Sequence, residues 1–212
     1  MRYFTALFDF DGTLADSADV SLASLNAVAP EFGFIPVAPE EVPVLRQMPA
    51  RRLLTERAGI ALWNIPKIRR LERRVRQELN RRAGDIGLFA GVPETLRKLR
   101  TAGIELGVVS SNSRAIVEAA LERAGVAVDF VHAGSRFFGK ASALRAACRE
   151  FDVNPSLVVY VGDEVRDVEA CKKIGIPMVA VGWGFNTPEA LRASGVHVAA
   201  TPNELFAMLT AH

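Results

Sequence analysis

The sequence predicts an α/β fold, a Rossmann-like parallel sheet flanked by helices, with an α-helical domain inserted after the first strand. Three observations carry this. After Gly84-Asp85, short apolar runs alternate with amphipathic segments, the pattern of parallel strands joined by crossover helices. Before that point, from Ser17 to about Arg82, the periodicity is helical and no strong strand occurs. The chain has 212 residues, half of them hydrophobic, which fits one large domain or a domain with a smaller insert. That length buries a substantial core without staples.

The elements run in order along the chain. Residues 3–10, YFTALFDF, form a buried strand that ends in the turn-forming Asp11-Gly12-Thr13. The helical stretch holds three or four helices, broken by Pro30, Pro36, Pro39 and Pro43 and again by Asn64-Ile65-Pro66. Val92–Arg100 is a helix with Pro93 near its start and Gly103 as its stop. A buried strand over Ile104–Ser110, a helix over Arg114–Ala124 and a short strand over Asp129–His132 come next. Ala141–Phe151 is helical, Leu157–Gly162 is a strongly apolar strand, and Val165–Ile174 is a helix ended by Gly175. Met178–Val181 and His197–Ala199 are strands, with helices at Pro188–Ala193 and Asn203–Leu209.

The composition excludes several classes. It is ordinary for a globular chain, with 24% charged residues, so wholesale disorder does not fit. Cys148 and Cys171 stand far apart without C-x-x-C spacing, which argues against a disulfide framework or a cysteine zinc site and suits a reducing, cytoplasmic setting. No stretch reaches the roughly 18 apolar residues of a membrane span, so no membrane is expected. The first residues run straight into a strand without a small-residue cleavage site, so no signal peptide is expected. A net charge of +2 gives no reason to expect nucleic acid.

In open parallel sheets, ligands bind beyond the carboxyl ends of the strands, so the residues just past each strand matter most. The first strand ends in Asp9-Phe10-Asp11. Two carboxylates so close repel in apolar surroundings, which a divalent cation relieves, and a strand-end aspartate also suits nucleophilic attack on phosphorus. The same residues also fit a simple turn. The second strand ends in Ser110-Ser111-Asn112, either an anion site or a helix N-cap. Lys140 comes after Phe137-Phe138-Gly139, aromatic neighbours that imply partial burial and an anionic partner. The apolar strand at 157–162 runs into Asp163-Glu164, and Asp167 lies one helical turn beyond Asp163. Helix-dipole compensation is the other reading of those acids. Taken together, the set fits Mg2+-assisted phosphoryl chemistry.

These residues are also those by which the sequence resembles the haloacid dehalogenase-like hydrolase superfamily, among members with a helical cap, and the stretch VGDEVRDVEACKKIGIPMVAVGWGFN is most similar to its phosphoglycolate-phosphatase-like branch. The four motifs match in order: Asp9-Phe10-Asp11-Gly12-Thr13-Leu14, then Ser110, then Lys140, then Gly162-Asp163-Glu164-Val165-Arg166-Asp167. The resemblance implies a core over residues 1–14 and 86–212 and a cap over 15–85. It implies Asp9 as nucleophile and Asp11 as the acid and base for the leaving alcohol and the attacking water. It implies Mg2+ held by Asp9, the backbone carbonyl of Asp11, and Asp163. Asp167 and Glu164 would support the metal, and Ser110 and Lys140 would offset charge on the phosphoryl oxygens, helped by the backbone N–H groups of Phe10 and Ser111. Ser111 and Asn112 are expected on the substrate side. A carboxylate at Asp11 implies phosphate-ester rather than carbon–halogen cleavage, because an alkoxide leaving group needs a proton and a chloride does not. Lys140 lacks the proline that comes after this lysine in many relatives, which weakens assignment of one named substrate.

The cap would exclude water and choose the substrate, a small phosphorylated metabolite; Arg46 is a candidate to face a second anionic group, and a solvated surface arginine is the equal alternative. The basic run from Lys67 to Arg82 carries Ile68, Leu71, Val75 and Leu79 at helical spacing, so it is expected to be a solvated cap helix rather than a polyanion site. The Trp183-Gly184-Phe185-Asn186 stretch is expected to be a packing loop. The competing functions are a phosphomutase of the same fold, a non-catalytic binding module and a phosphorylation-switch receiver. The protein is expected as a monomer or homodimer.

Overall fold

The computed structural model describes residues 4–45, 52–134 and 139–211. Six strands form one parallel sheet: β1 (Thr5–Phe8), β4 (Glu105–Ser110), β5 (Phe130–Ala133), β6 (Val158–Gly162), β7 (Met178–Val181) and β8 (His197–Ala199), in the order β5-β4-β1-β6-β7-β8. All four residues of β1 and all five of β6 are buried, so the near-continuous apolar runs of the sequence are strands covered on both faces. The order reverses around β1: the chain goes to β4 and β5 on one side and to β6, β7 and β8 on the other. Phe8 is in register with both Val108 and Val161, so the ends of three adjacent strands open at one edge of the sheet. That edge, at the switch point, is where this topology places ligands.

The expected elements are present with ends shifted by one or two residues, an ordinary uncertainty of helix and strand termini. One pair was not legible. β2 (Ala15–Asp16) runs antiparallel to β3 (Gly87–Leu88), and two residues a strand leave no periodicity to read.

The chain divides into two compact units, Met1–Asp16 with Gly87–His212, and Ser17–Ile86. Ala15 and Asp16 belong to the sheet-bearing unit because they pair with β3. The second unit is helical. Its main elements are α1 (Ala18–Phe32) and α3 (Ile65–Arg81), with a short α2 (Val42–Leu45) and a turn of π-helix at Leu53–Arg57 between them. Val28, Ala29 and Phe32 of α1 pack with Phe34, Ile60 and Leu71, flanked by Ile68 and Val75. The apolar stripe read in the basic segment therefore faces α1. Arg70 and Arg74 pair with Glu31, and Arg81 with Glu78, so part of the arginine face is neutralised within the unit. Pro30 does not break α1 as expected. It sits in the last turn, where a missing N–H removes at most one bond, and the helix ends at Gly33, left-handed at φ 74°, whose N–H donates to Ala29. Asn64, in contrast, caps α3 by accepting from the Lys67 N–H, with Pro66 in the first turn.

Around the sheet lie α4 (Val92–Thr101), α5 (Arg114–Arg123), α6 (Gly139–Glu150), α7 (Val165–Ile174), α8 (Pro188–Ala193) and α9 (Pro202–Thr210). Leu144, Ala147 and Cys148 of α6 and Cys171 of α7 pack on Leu7, Val158 and Tyr160. No helix among the described residues is long and apolar enough to cross a membrane.

Candidate active site

The site is built where β1, β4 and β6 end. Asp9 comes directly after β1 and is buried; one carboxylate oxygen accepts the N–H of Phe10 at 2.8 Å, and the other lies 2.6 Å from the Lys140 ammonium. Lys140 stands in the first turn of α6 and also reaches Asp167, at 3.4 Å. Asp163 comes directly after β6 and Asp167 lies one turn into α7; both are fully buried. Oxygens of Asp9, Asp163 and Asp167 lie within 4.8 Å of one another, the only such acidic group among the described residues that could hold a metal.

The electrostatics arise from three buried carboxylates around one ammonium. Burial, and behind it the charge of Asp9, pushes the Asp163 carboxyl up to about 8. Burial also raises Asp167, against the pull of Lys140. Burial works against the charge of Lys140, yet Asp9 and Asp167 hold its ammonium above the ordinary lysine range. The Oδ1 of Asp167 is buried without a hydrogen-bond partner. A buried carboxylate oxygen with no hydrogen bond beyond its 3.4 Å ion pair to Lys140, beside two further buried acids, is a donor set suited to a hard divalent cation.

Asp11 is held differently. The Asn112 side-chain nitrogen lies 3.0 and 2.9 Å from its two oxygens, so the amide expected on the substrate side instead orients Asp11. Ser110 is buried and its hydroxyl oxygen accepts the Asn112 N–H at 2.9 Å, while Ser111 is exposed on the adjoining bend. Glu164 turns to Arg166. Its backbone N–H donates to Asp167 at 3.2 Å, which leaves its carboxylate outside the acidic group. Arg46 lies outside the described residues.

Several contributors escaped sequence reasoning. The Thr13 hydroxyl donates to Asp163 at 2.8 Å, and the Phe185 N–H donates to its other oxygen at 2.7 Å. Trp183 donates its indole N–H to the Thr13 carbonyl, and Asn186 accepts from the Val165 N–H. The stretch read as a packing loop therefore supports the acidic group. Tyr160 lies beneath Lys140, with the ammonium 5.3 Å from its ring centre. Thr13 belongs to a motif already singled out, but no local pattern brings residues 183–186 to Asp163.

A strand-end carboxylate beside a partly buried ammonium, a second carboxylate held in place and an acidic group that could hold a metal meet at one switch point, an arrangement suited to phosphoryl transfer. The family model for haloacid dehalogenase-like hydrolases matches residues 6–181. The chain belongs to the haloacid dehalogenase-like hydrolases. Within that family it falls in the phosphoglycolate-phosphatase-like branch, so it is an enzyme of the phosphatase kind. It is 40% identical over 211 residues to a phosphoglycolate phosphatase of Synechococcus elongatus, covering 96% of both chains. It is 28% identical to an N-acetylmuramic acid 6-phosphate phosphatase of Pseudomonas aeruginosa, covering 89% of this chain and 86% of the other. A haloacid dehalogenase-like family hydrolase of Streptococcus pneumoniae has the same fold, with a TM-score of 0.82, 18% identity, and 98% and 99% of the two chains covered.

Proposed function

We propose that the chain is a Mg2+-dependent phosphatase that hydrolyses a small phosphate monoester through an aspartyl-phosphate on Asp9. The observation that carries this reading is the Asp9 carboxylate gripped by the Lys140 ammonium and the Phe10 N–H inside a group of three buried acids. In the first step a carboxylate oxygen of Asp9 attacks phosphorus, the ester P–O bond breaks, and the leaving oxygen takes the proton that Asp11 holds. In the second step water attacks the same phosphorus and gives its proton to Asp11. The bond to Asp9 breaks, inorganic phosphate leaves, and the carboxylate is restored. Asn112 keeps Asp11 aimed in both steps, and Lys140 and the Ser110 hydroxyl offset charge that develops on the phosphoryl oxygens. Asp9, the Asp11 backbone carbonyl and Asp163 would hold Mg2+, with Asp167 behind them, and the ion when bound would neutralise the acids and polarise the phosphoryl oxygens.

Phosphoglycolate is the first substrate to test, because the Synechococcus relative carries that name at 40% identity over nearly its whole length. In this reading the inserted helical unit, Ser17–Ile86, is the cap that excludes water and selects the ester, and Arg46 receives the substrate carboxylate. The experiment is phosphate release from a panel of monoesters with Mg2+ or EDTA, with Asp9→Asn in parallel. A preferred ester that is cleaved only with Mg2+ and only by the parent is expected. Release that survives in Asp9→Asn would overturn the nucleophile, and isomerised sugar phosphate without free phosphate would mark a mutase.

A further inference from the structure

We infer that Trp183 is a positioning residue for Asp163: its indole N–H ties together the two chain segments that donate hydrogen bonds to that carboxylate. The inference rests on the reading of Asp163 as a metal ligand. Among the described residues each Asp163 oxygen has one hydrogen-bond donor, the Thr13 hydroxyl on one side and the Phe185 N–H on the other. Thr13 belongs to the turn after β1 and Phe185 to the loop after β7, so a slip of either segment would rotate the carboxylate. Trp183 closes the gap between them at 3.1 Å, on the Thr13 carbonyl, and so leaves the Thr13 hydroxyl to Asp163. The far end of the loop is fixed by Asn186, whose N–H donates to the Asp163 carbonyl at 3.2 Å and whose side chain accepts from Val165 at 2.8 Å.

The packing leaves little slack. A Cβ on Gly12 would sit 2.3 Å from an Asp163 oxygen, and one on Gly184 would sit 2.2 Å from the Asp163 Cβ and 2.4 Å from the Gly12 carbonyl oxygen. Both segments thus close directly onto the carboxylate, and Gly12 also needs its φ of 77°. Partners of this kind, behind a ligand, typically change metal affinity by about 10–100-fold when lost.

The test uses the full chain. Trp183→Phe keeps an aromatic ring without the N–H, and benzothienylalanine at 183 removes the N–H while keeping the indole shape. Mg2+ binding is read by calorimetry and by the Mg2+-dependent shift in melting temperature, beside the ester KM at saturating Mg2+. Both variants are expected to raise the Mg2+ midpoint roughly tenfold with the ester KM unmoved. Thr13→Val weakens binding by itself, and adding Trp183→Phe to it costs less than the product of the two single losses, because both act on the same carboxylate. A parental Mg2+ midpoint in the benzothienylalanine variant, or losses that multiply in the double variant, overturns the role of Trp183. A parent that binds no Mg2+ removes the metal reading itself, a result separable from the other two.

Discussion

Asp163 sits in a group of three buried acids that faces a single ammonium. Its carboxyl, ordinarily near 3.8, is pushed up to about 8 by burial and then by Asp9. A proton held more tightly by the folded chain contributes stability that is fully present below the unfolded value, about pH 4, and lost as pH rises through about 8. By pH 8 the metal-free protein has lost on the order of 5 kcal/mol on this group, and at pH 5 only about 2 kcal/mol. Asp163→Asn removes the charge and keeps the shape. The amide oxygen can accept the Phe185 N–H while its nitrogen faces the Thr13 hydroxyl, which rotates to accept. Allowing about 1–2 kcal/mol for poorer hydrogen bonds, the variant is expected to exceed the parent in EDTA at pH 8 by roughly 3 kcal/mol. That is about 6–12 °C in melting temperature for a chain of this length, and near zero at pH 5. Saturating Mg2+ at pH 8 reverses the order, since only the parent gains. Differential scanning calorimetry at both pH values, with EDTA and with Mg2+, checks this. A variant that melts below the parent in EDTA at pH 8, or a difference independent of pH, refutes the reasoning.

Lys140→Met leaves three buried acids without their cation, so it is expected to cost about 3–5 kcal/mol in EDTA at pH 8, and less at pH 5 where Asp163 and Asp167, both raised by burial, hold protons. Urea unfolding at the two pH values reads this, and an equal loss at both would contradict it. Asp11→Asn is expected to slow hydrolysis of an alkyl phosphate by about 10²–10⁴-fold but of p-nitrophenyl phosphate far less, because nitrophenolate leaves without a proton; equal losses on the two esters would remove Asp11 as the acid. Tyr160→Phe deletes a buried hydroxyl that has no hydrogen-bond partner among the described residues and keeps the ring under Lys140. Its stability is expected to be unchanged or raised by about 1 kcal/mol, and a clear loss would reveal a partner for the hydroxyl.

The sheet was legible because β1, β4 and β6 are buried on both faces and so read as short apolar runs, each closed by a glycine, serine or aspartate. Asp163 was legible as the first residue past a strand, and Asp9 as part of the acidic ending of the first strand, which closes one residue before it, at Phe8. What local pattern could not supply was the register. Phe8 opposite Val108 and Val161 brings Asp9, Ser110 and Asp163 to one edge, and that alignment is a property of the assembled sheet. The same holds for Asn112, whose cap-like sequence says nothing of Asp11 across the strand gap, and for Trp183, whose partner lies 170 residues away. Pro30 misled for the opposite reason: its effect depends on how many turns remain, and α1 ends just beyond it.

The charge balance of the site argues for the valence of the ion it would hold. Asp9, Asp163 and Asp167 carry three negative charges when ionised, and Lys140 returns one, so two remain in a buried volume. A monovalent cation would leave one charge unpaired, and a divalent one closes the balance. In the metal-free chain protons play that part, which is why burial and mutual repulsion raise Asp163 and Asp167 while Lys140 keeps its proton. Proton and metal therefore compete for one deficit. Below about pH 8, Mg2+ affinity should rise roughly tenfold for each pH unit, as one proton leaves Asp163 for each ion bound. The cost of holding these acids together without an ion would make the site avid for one, and a variant that relieves that cost, as Asp163→Asn does, would give up the affinity with it.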